Sequence, residues 1–147
     1  MSYEINPKNF NPLFNVAGCV IEAQGKIILL QRKNSSIQGN KWGIPSGKIE
    51  NKEDPLSAIQ REIEEETGIK INKDKIKLIK KYKARHSPGY DFIYNLFYTK
   101  IKKINKLKLD EDEHINSILI SPIEALNMPL VEGTNECIKN LYNLNKI

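Results

Sequence analysis

Four carboxylates stand within five positions, at Glu62, Glu64, Glu65 and Glu66, directly after Arg61. On an ideal helix of about 100° per residue, Glu62, Glu65 and Glu66 share an arc of roughly 100°, while Glu64 falls on the opposite flank. Like charges spaced i,i+3 and i,i+4 oppose the helix by a few tenths of a kcal/mol each, and anions in a last turn add about 0.3 to 1 kcal/mol. A bound cation reverses the sign of these terms. Three convergent carboxylates form an all-oxygen donor set, which suits Mg²⁺ or Mn²⁺ better than zinc. A solvated acidic helix face has the same composition, so the choice depends on the surrounding sequence.

The element carrying these residues has clear ends. Asp54-Pro55 supplies an N-cap followed by proline at the first helical position, and Gly68 supplies a C-terminal stop, so a helix is predicted over about Pro55 to Thr67. Leu56, Ile59 and Ile63 form its apolar stripe. Upstream, Phe14 to Ile21 and Lys26 to Leu30 read as a hairpin joined through a loop containing Gly25. The glycines and proline of Lys41 to Lys48 predict a short strand and a loop. Downstream, strands are expected at Lys75 to Ala84, Tyr90 to Ile101 and Asn116 to Ile120. Ser121-Pro122 opens a short helix through Asn127, and Pro129 to Asn143 reads as a final amphipathic helix. Strands and helices mixed in this order predict an α/β layered fold.

The chain of 147 residues, 39% hydrophobic and 28% charged, has the size and composition of one compact domain, expected over residues 1–147. Its apolar runs are too short for a membrane span, and Met1 to Asn11 lacks the pattern of a secretory signal, so a cytoplasmic location without a membrane partner is expected. Cys19 and Cys137 form no close-spaced pair and read as small buried hydrophobes. The net charge of +5 fits either a polyanionic partner or a lysine-rich surface. Only Lys100 to Lys108 is locally dense in lysine, and a solvated strand end or hairpin loop is the expectation there, not nucleic-acid binding.

Reading outward from the cluster gives Gly47, five residues, Glu53, seven residues, then Arg61-Glu62-Ile63-Glu64-Glu65-Glu66-Thr67-Gly68-Ile69. This resembles the full Nudix box. Seven fixed identities at roughly 6% each have a chance probability on the order of 10⁻⁹ per starting position, which rules out coincidence. The resemblance implies a Nudix-type α/β/α sandwich with a mixed sheet, in which the box forms a loop, a helix and a second loop. It implies a divalent cation, Mg²⁺ with Mn²⁺ as the alternative, held by Glu62, Glu65 and Glu66 and joined by a backbone carbonyl at Ser46 or Gly47. Glu53 and Arg61 resemble the family's internal ion pair that orients those carboxylates. The implied activity is hydrolysis of a phosphoanhydride bond in a nucleoside diphosphate-linked substrate, foremost a nucleoside triphosphate giving the monophosphate and pyrophosphate. The rival expectations are a dinucleoside polyphosphate or nucleotide-sugar hydrolase, and a non-catalytic module that binds a nucleotide or RNA.

A later acidic run, Asp110 to Glu113 followed by His114, resembles the family's distal metal-or-base loop, with Glu113 the first candidate for general base and Glu111 the second. A solvated acidic turn has the same composition. His86 and His114 are not expected to be essential. Candidates for contact with a nucleobase, sugar or phosphate are Phe14, Asn15, Arg32, Trp42, Tyr90 and Phe92, by stacking or by guanidinium–phosphate pairing. A monomer or a homodimer fits these residues equally.

Overall fold

The computed structural model describes residues 3–86 and 89–144. The chain order is β1 (Tyr3–Ile5), β2 (Phe14–Ala23), β3 (Lys26–Arg32), β4 (Trp42–Gly43), β5 (Ser46–Lys48) and α1 (Pro55–Thr67). After these come β6 (Lys77–His86), β7 (Tyr90–Lys100), β8 (His114–Ile120), α2 (Pro122–Ala125) and α3 (Thr134–Leu141). The strands form one mixed sheet in the order β1-β6-β7-β2-β3-β4, with β5 beside β2 and β8 beside β3. Strands β2 and β7 run parallel from Phe14 opposite Phe92 to Glu22 opposite Lys100, and the other pairs are antiparallel.

The expected layered architecture follows from which faces are buried. Ala17, Cys19 and Ile21 of β2 and Ile28 and Leu30 of β3 pack with Ala58, Ile59 and Ile63 of α1. The alternate residues Val20, Ile27 and Leu29 pack on the other side with Ala125, Cys137 and Ile138. Both faces of these central strands are therefore covered, which is why their sequences read as nearly unbroken apolar runs. Both cysteines are buried and free, as expected of small hydrophobes. No helix among the described residues is long and apolar enough to cross a membrane.

The hairpin between β2 and β3 turns at Gln24 and Gly25, whose φ values are 53° and 75°. Two positive φ values in a two-residue loop match the right-handed twist of the flanking strands. The two strands pair only at this end, through Glu22 with Ile27 and Ala23 with Lys26. Beyond it they part, β2 toward β5 and β3 toward β4 and β8. The opening between the parted strands is where the cleft described below lies.

Helix α1 has the predicted bounds. Asp54 caps it by accepting a 2.8 Å hydrogen bond from the Ser57 amide, and Gly68 ends it at φ 79° with its amide donating to the Glu64 carbonyl. Elsewhere the boundaries shift. Strand β6 starts two residues later than predicted and β8 two residues earlier, and the final helix begins at Thr134 instead of Pro129 because Gly133, at φ 89°, occupies its N-cap. Strand β1 was not predicted at all. The lysine-dense stretch after β7 is neither strand nor hairpin, but an irregular strap whose Ile101, Ile104, Leu107 and Leu109 pack onto the α1 core while its lysines face solvent. The Lys108 amide donates to the Thr67 carbonyl, tying the strap to the end of α1.

Candidate active site

One flank of α1 faces β5. There the Ser46 amide donates a 2.9 Å hydrogen bond to Glu66 Oε1. Gly47 lies so close to the helix that a Cβ on it would stand 2.2 to 2.5 Å from the carboxyl atoms of Glu62. Only glycine leaves room for that carboxylate. Ser46 and Gly47 thus shape the backbone around Glu66 and Glu62 respectively, and both glutamates are almost fully buried.

Arg61 holds the group together. Its Nε and Nη2 bind both carboxylate oxygens of Glu53, at 2.8 and 2.9 Å, and Nη1 donates to Glu62 Oε1 at 2.8 Å. The same Nη1 lies 3.3 Å from Glu65 Oε2, and Nη2 reaches the Lys48 carbonyl. A planar guanidinium with a fixed fork of donors can bridge three carboxylates in a way that a lysine ammonium cannot. Glu65 is half exposed at the outer end of this network, and Glu64 is exposed away from it.

The distal acidic loop closes on the same place. Hydrogen bonds from the Glu113 and His114 amides to the Asp110 carbonyl shape the turn, and the Lys33 amide donates to the Glu113 carbonyl. A carboxylate oxygen of Glu66, one of Glu113 and a ring nitrogen of His114 all lie within 4.8 Å of one another. Glu111 is exposed and lies outside this group. At the start of β8 the register slips, so that His114, not Ile115, stands opposite Arg32. Such a bulge re-aims side chains at a sheet edge: His114 turns inward and Ile115 is left exposed.

Electrostatics matches this crowding. Burial pushes the Glu62 carboxyl up to about 7, against the opposing pull of Arg61. Glu66 is raised well above the ordinary glutamate range, first by burial and then by the charges of Glu62 and Glu113. Glu53 is lowered by its hydrogen bond with Arg61, and burial lowers His114. The raised groups stabilise the fold fully below the ordinary glutamate value of 4.5, and that contribution is lost as pH rises through their folded values. The cation-free protein is therefore expected to lose melting temperature between about pH 5 and pH 8, in the window set by Glu62, with Mg²⁺ restoring it at the upper end. Below that window the lowered carboxyls Glu53, Asp54 and Asp91 act oppositely, since their contribution disappears as pH falls. A melting temperature that is flat from pH 5 to 8 without metal would contradict the assignment of buried, raised carboxyls.

The buried carboxylates of Glu62 and Glu66 on α1, a backbone amide fixing one of them, a glycine cradle around the other and the exposed carboxylate of Glu113 brought in by the distal loop make a donor set that fits a divalent cation. Beside it lies a cleft of about 840 Å³, whose lining includes Ser46 and His114 at the acidic end. Phe14, Tyr90, Phe92 and Arg32 also line it. The rings of Phe14 and Phe92 stack with centroids 5.3 Å apart, and Lys48 Nζ sits 4.6 Å from the Phe14 ring centroid. The Asp91 carbonyl and carboxylate accept from the Leu13 and Asn11 amides, which fixes the chain entering β2. Trp42 does not line the cleft. It is buried in the core beneath α3, so an aromatic chosen for its stacking potential serves packing instead. Lys48 and His114 line the cleft although sequence reasoning did not select them. Their one visible signal was adjacency, to Gly47 and to Glu113.

The NUDIX domain model matches residues 12–141. The CTP pyrophosphohydrolase of Escherichia coli (strain K12) is 32% identical over 119 residues, covering 80% of this chain and 83% of that protein. The ADP-ribose pyrophosphatase of Bacillus subtilis (strain 168) is 32% identical over 116 residues, 77% of this chain and 60% of its own length. The chain spans 60% of the length of the Bacillus relatives it matches. Among solved structures, the MutT protein from Methanosarcina mazei Go1 superposes with a TM-score of 0.78 at 24% identity, covering 93% of this chain and 98% of that one.

Proposed function

The chain belongs to the NUDIX domain family, and on that premise we propose that it hydrolyses a phosphoanhydride bond of a nucleotide, foremost a nucleoside triphosphate, releasing the monophosphate and pyrophosphate. The observation that carries the reading is the meeting of Glu62, Glu66 and Glu113 beside an aromatic-lined cleft large enough for a nucleotide. The name of the E. coli relative, a CTP pyrophosphohydrolase, supports the triphosphate.

In this reading Glu62, Glu65 and Glu66, with a backbone carbonyl at Ser46 or Gly47, hold a divalent cation, Mg²⁺ or Mn²⁺. When bound, the cation supplies positive charge to the phosphate oxygens around the scissile bond. Arg61 and Glu53 keep the carboxylates oriented before the cation arrives, because their bidentate pair fixes the guanidinium from which Glu62 and Glu65 are held. Glu113 is the candidate base. It takes a proton from the attacking water as the water oxygen bonds to phosphorus and the bridging oxygen leaves with the bonding electron pair. Arg32 and Lys48 receive the phosphates not attacked, and Phe14, Phe92 and Tyr90 offer ring faces to the base.

A second reading is a hydrolase of a nucleotide linked to a sugar or to a second nucleotide, supported by the ADP-ribose pyrophosphatase among the relatives. A non-catalytic binding module is disfavoured by the complete set of box carboxylates. The deciding experiment follows release of phosphate and pyrophosphate from nucleoside triphosphates, dinucleoside polyphosphates and nucleotide sugars, with Mg²⁺ and with chelator. Metal-dependent pyrophosphate release from a triphosphate is the expected result. Cleavage confined to the linked substrates favours the second reading, and no cleavage by folded protein favours the module.

A further inference from the structure

His114 belongs to both the acidic group and the cleft, and two features set it apart from an ordinary buried histidine. It is 9% exposed, yet its Nδ1 is sealed from solvent and has no hydrogen-bond partner among the described residues. Leaving a buried polar atom unmatched opposes folding, so such atoms call for a ligand or a function. The bulge beside Ile115 places the imidazole where one of its ring nitrogens lies within 4.8 Å of carboxylate oxygens of both Glu66 and Glu113.

We propose that His114 is a nitrogen ligand of the cation that Glu66 helps to hold, with Glu113 beside it as the base, and that it biases this centre toward Mn²⁺ over Mg²⁺. The spacing supports this. Donors about 2.0 to 2.2 Å from one ion stand at most some 4.4 Å apart, so a small closure brings the Glu66 oxygen and the His114 nitrogen, now within 4.8 Å of each other, onto a common cation. Imidazole suits transition metals, whereas Mg²⁺ takes hard oxygen ligands and gives up its waters reluctantly. Replacing one oxygen donor by nitrogen therefore shifts relative affinity without changing the charge of the site. The inference rests on the cation-dependent reading above and narrows its choice of metal.

The test is pulsed electron paramagnetic resonance of Mn²⁺ bound to the full chain, which needs no substrate and no turnover. The chain has only two histidines, so isotopic labelling isolates the signal. Wild-type protein is expected to show nitrogen modulation on the Mn²⁺ echo, and labelling with ¹⁵N-histidine is expected to replace the ¹⁴N pattern with a ¹⁵N one. His86→Gln should keep the signal and His114→Gln should lose it. By calorimetry the ratio of Mn²⁺ to Mg²⁺ affinity should fall about tenfold in His114→Gln. The labelled wild type gives the answer even if His114→Gln does not fold. Mn²⁺ bound with no histidine nitrogen coupling overturns the proposal and leaves the carboxylate centre standing. Failure of Mn²⁺ to bind, in wild type and in Glu66→Gln alike, overturns both.

Discussion

Glu66→Gln and Glu65→Gln are each expected to lower kcat by at least about 10²- to 10³-fold with Mg²⁺, the scale seen when one preorganised electrostatic contact is removed from an active site. The exchange is nearly isosteric, so the fold should persist. For Glu66 the amide oxygen of Gln can still accept from the Ser46 amide that now binds Oε1. What is lost is negative charge at the most buried carboxylate of the group. Without metal the same variant should melt higher than wild type, because a buried carboxyl crowded by Glu62 and Glu113 has been neutralised. Activity close to wild type in both variants would remove these residues from the metal site. A clear drop in the cation-free melting temperature of Glu66→Gln would reject the account of repulsion.

The second large effect is expected from a residue with no side chain. Gly47→Ala places a methyl group where the Glu62 carboxylate now lies, 2.2 Å from its carboxyl carbon. Because the clash is with the end of a flexible side chain, Glu62 can swing away, and the fold should lose little. The carboxylate then leaves its place beside Arg61. A displacement of about 1 Å in a catalytic constellation costs on the order of 10²-fold in rate, so kcat should fall by about that factor while the melting temperature changes by only a few degrees. Ala at Gly25 is the control for rate, since nothing lies within 4 Å of the position its Cβ would take and the strain of Ala at φ 75° costs stability without moving an active-site group. That residue sits at the far end of the β2–β3 hairpin, and its variant should retain wild-type kcat. Unchanged kcat in Gly47→Ala would mean that Glu62 has no fixed position to lose.

These expectations concern residues that differ in how far local sequence determines their place. Positions 47 to 69 form one contiguous stretch, so helical geometry and two clear caps were enough to put Glu62, Glu65 and Glu66 on one flank. The Asp54 cap and the Gly68 stop lie where they were expected for the same reason. Glu113 was visible as part of an acidic run, but its approach to Glu66 depends on β8 pairing with β3, a tertiary contact that no local pattern encodes. The role of His114 depends further on a one-residue slip in that pairing. Trp42 misled because aromatic character serves stacking and packing equally, and burial decides between them. Strand β1 stayed hidden because it is only three residues long and pairs with β6 some eighty residues away, between Tyr3 and His86 at one end and Ile5 and Ala84 at the other.

The parallel pairing of β2 with β7 bears on how the molecule reaches its native state. Phe14 and Phe92 face each other across this pair, and the entire stretch that carries the acidic helix lies in the chain between them. Bringing those ends together requires closing a long loop before the pairing returns any stabilisation, so this step is expected to be slow relative to formation of the local hairpin. The hairpin at Gln24 and Gly25 and helix α1 can form early from nearby residues. The stacked floor of the cleft, which needs Phe14 and Phe92 together, can form only afterwards. A refolding chain should therefore gain helical signal before it gains the capacity to bind a nucleotide.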